Sequence, residues 1–215
     1  MSIIKRLLFI TLFIVLSIDA EKKQHIIMLA PAGDSKDPGR KIGQSCERAT
    51  TFALAHHIKT IIEKETNNKV LLSRAPGEHI PYLHSAEYAN RINVDLYIAL
   101  SCYHNPTSSH TAHLYLYKRG EQFIPNLDSL TLLPLAKAHW LHHHDSKKIA
   151  QFMHGYLSRH YIHQIMVPSI TTFPFLPLYG VYTPALGIEL NYIHQDDTFI
   201  YALPLAQTII TALAS

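Results

Sequence analysis

Short apolar runs bounded by turn residues alternate along this chain with longer segments of helical period, and that alternation commits it to an α/β architecture. His25 to Leu29 (HIIML) is a first buried strand, closed by Pro31 and followed by a loop, Ala32 to Gln44, that carries Gly33, Pro38, Gly39 and Gly43. Ser45 is the candidate N-cap of a helix that runs to about Thr66, where Asn67-Asn68 stops it. Lys69 to Ser73 reads as a second strand, Ser85 to Ile92 as a short helix, and Asp95 to Ser101 as a third strand, broken by His104-Asn105-Pro106. His113 to Lys118 (HLYLYK) alternates as a half-buried strand does. Helical period returns over Asp145 to Tyr161, Pro184 to Leu190 is a last buried strand, and Thr198 to Leu213 is a closing helix. No repeat, charge block or low-complexity linker divides this stretch, so residues 21–215 are expected to form one domain.

Residues 1–20 have a different character. Lys5 and Arg6 precede the apolar run Leu7 to Ile18, and Ala20 offers a small residue before the polar Glu21-Lys22-Lys23. Basic start, apolar centre and small-residue exit are the parts of a secretory signal. The run is shorter than the roughly 20 apolar residues that span a bilayer, which makes an uncleaved anchor the weaker alternative. The expectation is an exported protein, periplasmic or secreted, that meets a membrane only during export.

Removing that segment takes Lys5, Arg6 and Asp19 from the 19 basic and 16 acidic residues and leaves a near-neutral chain, which makes no case for nucleic acid. Cys46 and Cys102 are the only cysteines, too few for a disulfide-stapled scaffold of this length. Histidine is abundant at 16 residues but mostly scattered. His139 and His143 would share a helix face at a known metal spacing, with His142 and His144 beside them; the alternative, a solvated surface loop, is preferred.

Two carboxylates stand out because they fall where apolar residues belong. On the first long helix Thr51, Leu54, Ile58, Ile61 and Ile62 make a stripe within about 60°, and Glu47 lies on it. A glutamate there caps free N–H groups, pairs with a cation or binds a metal. Glu189 sits among apolar neighbours at the C-terminal end of a strand, the edge of an open α/β sheet where ligands collect. It could act as a general base or reach a loop donor.

With these pieces in order, the chain resembles the catalytic domain of the zinc-dependent N-acetylmuramoyl-L-alanine amidases, which cut between muramic acid and the stem peptide of peptidoglycan. The resemblance runs from about Ile26 to the C-terminus. It is carried by Ala30-Pro31-Ala32-Gly33-Asp34-Ser35-Lys36-Asp37-Pro38-Gly39, by Glu47-Arg48, and by Ser73-Arg74. It continues in Ala89-Asn90 followed by Asp95-Leu96-Tyr97-Ile98-Ala99-Leu100-Ser101, and in Pro184-Ala185-Leu186-Gly187-Ile188-Glu189-Leu190-Asn191-Tyr192. It implies a single α/β domain with a mixed twisted sheet flanked by helices, and peptidoglycan or a muropeptide as partner.

In such amidases zinc is held by two histidines and a glutamate, and a late glutamate activates the metal-bound water. The resemblance maps the zinc-binding glutamate to Glu47 and the base to Glu189, whereas the two histidines fall on Gly33 and Ser101. Neither glycine nor a neutral serine serves as a zinc ligand, and a catalytic zinc needs three protein ligands. The expectation is a degenerate site without zinc and a binding or regulatory role at the wall, exerted on peptidoglycan itself or on another wall enzyme or regulator. One alternative is an active amidase with a rebuilt metal site drawing on Asp34, Cys102 or His104. The other is an exported interaction module whose groove has been repurposed. A Cys46–Cys102 disulfide and two free thiols both stay open.

Overall fold

The computed structural model describes residues 23–118, 135–194 and 196–214, so the predicted signal segment lies outside the described residues. The first apolar run forms β1 (Ile26–Pro31), and the predicted loop after it contains a two-residue hairpin, β2 (Lys41–Ile42) and β3 (Ser45–Cys46). That hairpin moves the helix start. Ser45 is taken up in β3, the N-cap is Cys46 without a side-chain cap bond, and α1 runs Glu47–Glu65. Its buried face is the predicted stripe, with Thr51, Leu54, Ile58 and Ile62 inside together with Glu47.

β4 (Lys69–Leu72), α2 (Tyr82–Ile92), β5 (Leu96–His104) and β6 (Ala112–Tyr117) follow. β5 overruns its expected end at Ser101 by three residues, because Ser101 to His104 pair in register with Glu189 to Tyr192. A 3-10 turn (Leu135–Trp140) leads into α3 (His143–His160). After β7 (Thr171–Phe173), a short exposed strand without a periodic signature, come β8 (Ala185–Tyr192) and α4 (Thr198–Ala214).

Six strands form one mixed sheet in the order β4-β1-β5-β8-β6-β7, parallel throughout except where β6 runs against β8. Strand alternation sends Ile27, Leu29, Ile98, Leu100, Cys102, Leu186 and Ile188 into a core closed by α1, α3 and α4. Met28, Tyr97 and Ala99 point to the other face and pack against Ala86 and Ala89 of α2 and against Leu178 and Val181. Fully burying a Leu or Ile side chain stabilises by roughly 1.5–3 kcal/mol, so these two layers hold the sheet rigid. The chain leaves β1 toward β4 on one side and returns to β5 on the other. The C-terminal ends of β1 and β5 therefore flank a topological switch point, where α/β sheets open a crevice.

Candidate functional site: two carboxylates bridged by an arginine

Glu47 and Glu189, 142 positions apart in sequence, meet at that sheet edge through a residue the sequence did not single out. The guanidinium of Arg40 donates from Nη2 to Glu47 Oε1 at 3.2 Å and to Glu189 Oε1 at 2.7 Å, and from Nε to Glu47 Oε2 at 3.2 Å. Glu47 is only 5% exposed. It also accepts the backbone N–H of Arg40 at Oε2 (3.1 Å) and that of Cys102 at Oε1 (3.0 Å). Of the three roles open to a glutamate at this position, the structure shows pairing with a cation.

The loop is built to allow this. Gly39 has φ +69°, and a Cβ there would stand 2.7 Å from Glu47 Oε2, so only glycine lets the backbone wrap the carboxylate. The main chain is then fixed by Glu47 N–H to Arg40 O at 2.8 Å and Arg48 N–H to Pro38 O at 3.0 Å. Burial works against the charged guanidinium, but the hydrogen bonds and charges of Glu47 and Glu189 outweigh it and hold the Arg40 pKa above its ordinary value.

Glu189 has a second donor, the Tyr115 hydroxyl at 2.7 Å to Oε2. Burial and then this bond push the Tyr115 pKa up, so the phenol keeps its proton. Around the pair the open sheet face is aromatic. Tyr103 and His113 lie within 3.3 Å, hydroxyl to Nε2, His113 stacks on Tyr115, and Phe173 and Phe175 pack against the Tyr115 ring. Phe175 can lie over β8 because residue 187 is glycine; a Cβ there would come within 2.5 Å of its ring.

The other sequence candidates are placed elsewhere. Ser101 pairs in register with Glu189, and its hydroxyl lies 3.5 Å from Ile188 O. At Gly33 (φ +72°) a Cβ would stand 2.8 Å from Arg48 Cβ and 3.0 Å from Arg48 Cα, so the helix start packs directly onto it. Asp34 folds back on its own loop, Oδ1 accepting the N–H groups of Lys36 and Asp37 at 2.8 Å each, and Oδ2 lies 2.6 Å from His79 Nδ1. The Asp37 amide, resisted by partial burial and helped by Lys36 and His79, holds the Asp34 carboxyl down to about 2.

The side chain of Cys102 is buried in the helical core on the opposite face from Ser101, and burial followed by the Glu47 charge raises its thiol pKa. Only its backbone N–H reaches the site. His104 faces Tyr192 O at 2.8 Å from Nδ1. Both cysteines are free thiols. His139 and His143 are not in a solvated loop: His139 lies within the 3-10 turn and packs with Tyr117 and Trp140, and His143 opens α3 and packs with Trp140.

Glu47 and Glu189 are tied to Arg40, and among the described residues no group of three or more His, Cys, Asp or Glu side chains is arranged to hold a metal ion. A cleft of about 420 Å³ is lined by the ends of β1 and β5, the Asp34–His79 pair, Arg74 and Phe175; Arg40, Glu47 and Glu189 are not part of its lining.

No curated protein matches the chain by sequence. Several solved structures share its fold at low identity, three of which illustrate the likeness. The catalytic domain of CwlV, an N-acetylmuramoyl-L-alanine amidase from Bacillus (Paenibacillus) polymyxa var. colistinus, superposes with TM-score 0.64 and 15% identity over 89% of this chain and 99% of that one. AmiC2 of Nostoc punctiforme gives TM-score 0.63 at 13% identity, covering 90% and 99%. The CwlD amidase of Clostridioides difficile, solved in complex with the GerS lipoprotein, gives 0.61 at 14%, covering 89% and 99%. Independently of these, residues 27–203 match the family described as N-acetylmuramoyl-L-alanine amidase. Spanning most of the protein, that match makes the chain a member of the N-acetylmuramoyl-L-alanine amidase family.

Proposed function

We propose that this is an exported member of the amidase family that binds peptidoglycan or muropeptide at the cell wall without zinc and without hydrolysing the amide. The observation that carries the reading is the Arg40 bridge. The guanidinium holds both carboxylates that the family resemblance assigns to metal and base, at 3.2 and 2.7 Å. Glu189 offers one oxygen to Arg40 and the other to Tyr115, so the carboxylate at the base position of the resemblance is already engaged by two protein donors. Withdrawing Arg40 would leave Glu47 as the single donor among the three ligand positions implied by the resemblance. Replacement ligands are not at hand either, since Asp34 is spent on its own loop and the Cys102 thiol lies in the core.

Export rests on the charge and apolar pattern of residues 1–20 and would bring the domain to peptidoglycan. Binding rests on the retained fold and on the open aromatic face around Glu189, which suits the apolar faces of sugar rings. A partner protein is a second route by which a non-hydrolysing member would act; CwlD was solved in complex with one, the GerS lipoprotein.

The test is direct. The purified protein, supplemented with zinc, is incubated with muropeptides and, separately, cosedimented with intact sacculi. Retention on sacculi without release of stem peptide is the expected result. Zinc-dependent release would overturn the proposal and restore the reading of an active enzyme with a rebuilt site.

A further inference from the structure

Among the described residues seven large apolar side chains are exposed, and four of them gather on one side of the helical layer. α4 carries no charged residue along its length, and the outward positions of its first turns are Phe199, 70% exposed, and Leu203, 44% exposed. Beside them Ile162 (65%) follows α3, and Met166 (51%) is tied to the start of β6 through its N–H, which donates to His110 O at 2.9 Å. A shallow groove of about 590 Å³ lies here, with Tyr161, His163, Phe199 and Leu203 among its walls. The Phe199 ring packs on His57 of α1 at 4.8 Å, which fixes its direction. Polar groups next to the groove are satisfied within the chain. The Tyr161 hydroxyl donates to Gln207 Oε1, and Asp197 Oδ2 accepts the N–H groups of Ile193 and His194 and lies 2.9 Å from His110 Nε2. What the groove offers is chiefly apolar surface.

We infer that this groove is a self-association surface, on which two copies of the chain pair about a two-fold axis and Phe199 of each enters the groove of the other. Two observations select a second copy. The first is area. The exposed parts of the four side chains amount to roughly 400–500 Å² of apolar surface. A standard interface buries about 800 Å² per partner, a little over half of it apolar, so the patch supplies the apolar centre of one such interface. An apolar face also complements itself, as a two-fold contact requires. The second is charge. Exposed groups of both signs border the patch: Arg159 two positions before Tyr161, Asp196 three before Phe199, and Lys64 and Glu65 at the end of α1. Burial, followed by Tyr156 and Glu65, raises the Tyr161 pKa, so this end of α1 lies within electrostatic reach of the groove. A rim of both signs pairs with a rotated copy of itself, whereas an anionic bilayer repels its acids as it attracts its bases. The groove shares no lining residue with the 420 Å³ cleft. α4 closes one face of the sheet, and the cleft is bordered by Phe175 and by Ser85 of α2 on the other, so a pair keeps both clefts open. Two clefts on one polymer raise retention through avidity, a consequence that rests on the wall-binding reading above.

The experiment is sedimentation equilibrium on the protein in the form in which cells accumulate it, with Phe199→Ser plus Leu203→Lys as the variant. Wild type is expected to dimerise reversibly with a Kd on the order of 10 μM, and the variant at least about ten-fold more weakly. Both side chains are exposed, so the melting temperature in dilute solution, where both proteins are monomeric, should match wild type and exclude misfolding as the cause. Ile162→Lys decides if the double variant fails to fold. Wild type that stays monomeric at submillimolar concentration, or a dimer that neither variant weakens, would overturn the surface. Phosphatidylglycerol vesicles that bind wild type but not the variant, with no dimer in solution, would overturn it in favour of a lipid-facing surface. Sacculi read the consequence separately: weaker retention of the variant supports bivalent binding, and equal retention refutes bivalence while the dimer stands.

Discussion

Replacing Arg40 by alanine removes the one cation shared by Glu47 and Glu189 and leaves their oxygens facing each other across the vacated space. Glu47 keeps two backbone N–H donors and Glu189 keeps Tyr115, so neither carboxylate loses every partner. Two unit charges about 5 Å apart at an effective dielectric near 20 repel by roughly 3 kcal/mol. Breaking a fully buried pair costs about 3–5 kcal/mol, whereas an exposed pair contributes about 0–1. The pair lies between these limits, because Glu47 is buried while the Arg40 side chain is 47% exposed and water can enter where it stood. Discounted for that screening, Arg40→Ala should cost about 2 kcal/mol at neutral pH.

For a domain of this size 1 kcal/mol shifts the melting temperature by about 2–4 °C, so the loss should read as roughly 4–8 °C. The diagnostic result is the double variant. Arg40→Ala with Glu189→Gln removes the repulsion and should recover about half of the loss, and lowering the pH should stabilise the single variant for the same reason. Chemical denaturation of wild type, both single variants and the double closes the cycle. An Arg40→Ala variant within about 0.5 kcal/mol of wild type, or a double variant less stable than the sum of the singles, would refute the bridge as an energetic unit.

Three further outcomes follow from individual contacts. Asp34 has its carboxyl held at about 2 when folded, below its ordinary value of 3.8. Its contribution is therefore fully present above that ordinary value and is lost as pH falls toward about 2; a carboxyl NMR titration giving an unshifted value would remove the loop from the account. Cys102 is buried with a raised thiol pKa and Cys46 is half-buried, so native protein should give at most one fast-reacting thiol with Ellman's reagent and two after unfolding. No reactive thiol in either state would mean a disulfide instead. Gly187→Ala forces the Phe175 ring from its place over β8 and should cost about 1–3 kcal/mol, with altered ring-current shifts at Tyr115; unchanged spectra would contradict the packing.

The fold was legible because burial imposes period. The parallel strands β1, β5 and β8 read as apolar runs, and the spacing of the α1 stripe alone marked Glu47 as a carboxylate on a buried face. Short elements carried no such signal: β2 and β3 have two residues each, and β7 is exposed along its length. Arg40 was illegible for a related reason. It stands in an aperiodic loop, and its role depends on a contact with a residue 149 positions away. The one local cue was a basic residue directly after the Pro38-Gly39 turn and seven before Glu47. Asp34 was offered as a ligand because it adjoins Gly33, but an aspartate two and three residues before free amides closes a turn with its own backbone. Cys102 followed strand alternation to the face opposite Ser101, and the extension of β5 carried His104 with it into pairing with β8.

Under the zinc-free reading proposed above, histidines placed at Gly33 and Ser101, the positions that the resemblance gives to zinc ligands, would not by themselves build a metal site. A dication between two carboxylates leaves no net charge, whereas Arg40 leaves one negative charge, which the Cys102 and Arg40 N–H groups and the Tyr115 hydroxyl share. Gly33 also has a structural role. With φ +72° and Arg48 packed onto the Cβ position, a side chain there meets both left-handed strain of about 1–2 kcal/mol and a clash with the start of α1. Gly33→His with Ser101→His should therefore lower the melting temperature and still take up no zinc while Arg40 holds Glu47. Isothermal titration with zinc after refolding checks this. Stoichiometric zinc binding by that double variant, with Arg40 in place, would show that the guanidinium yields to a metal and that the bridge is no barrier to catalysis.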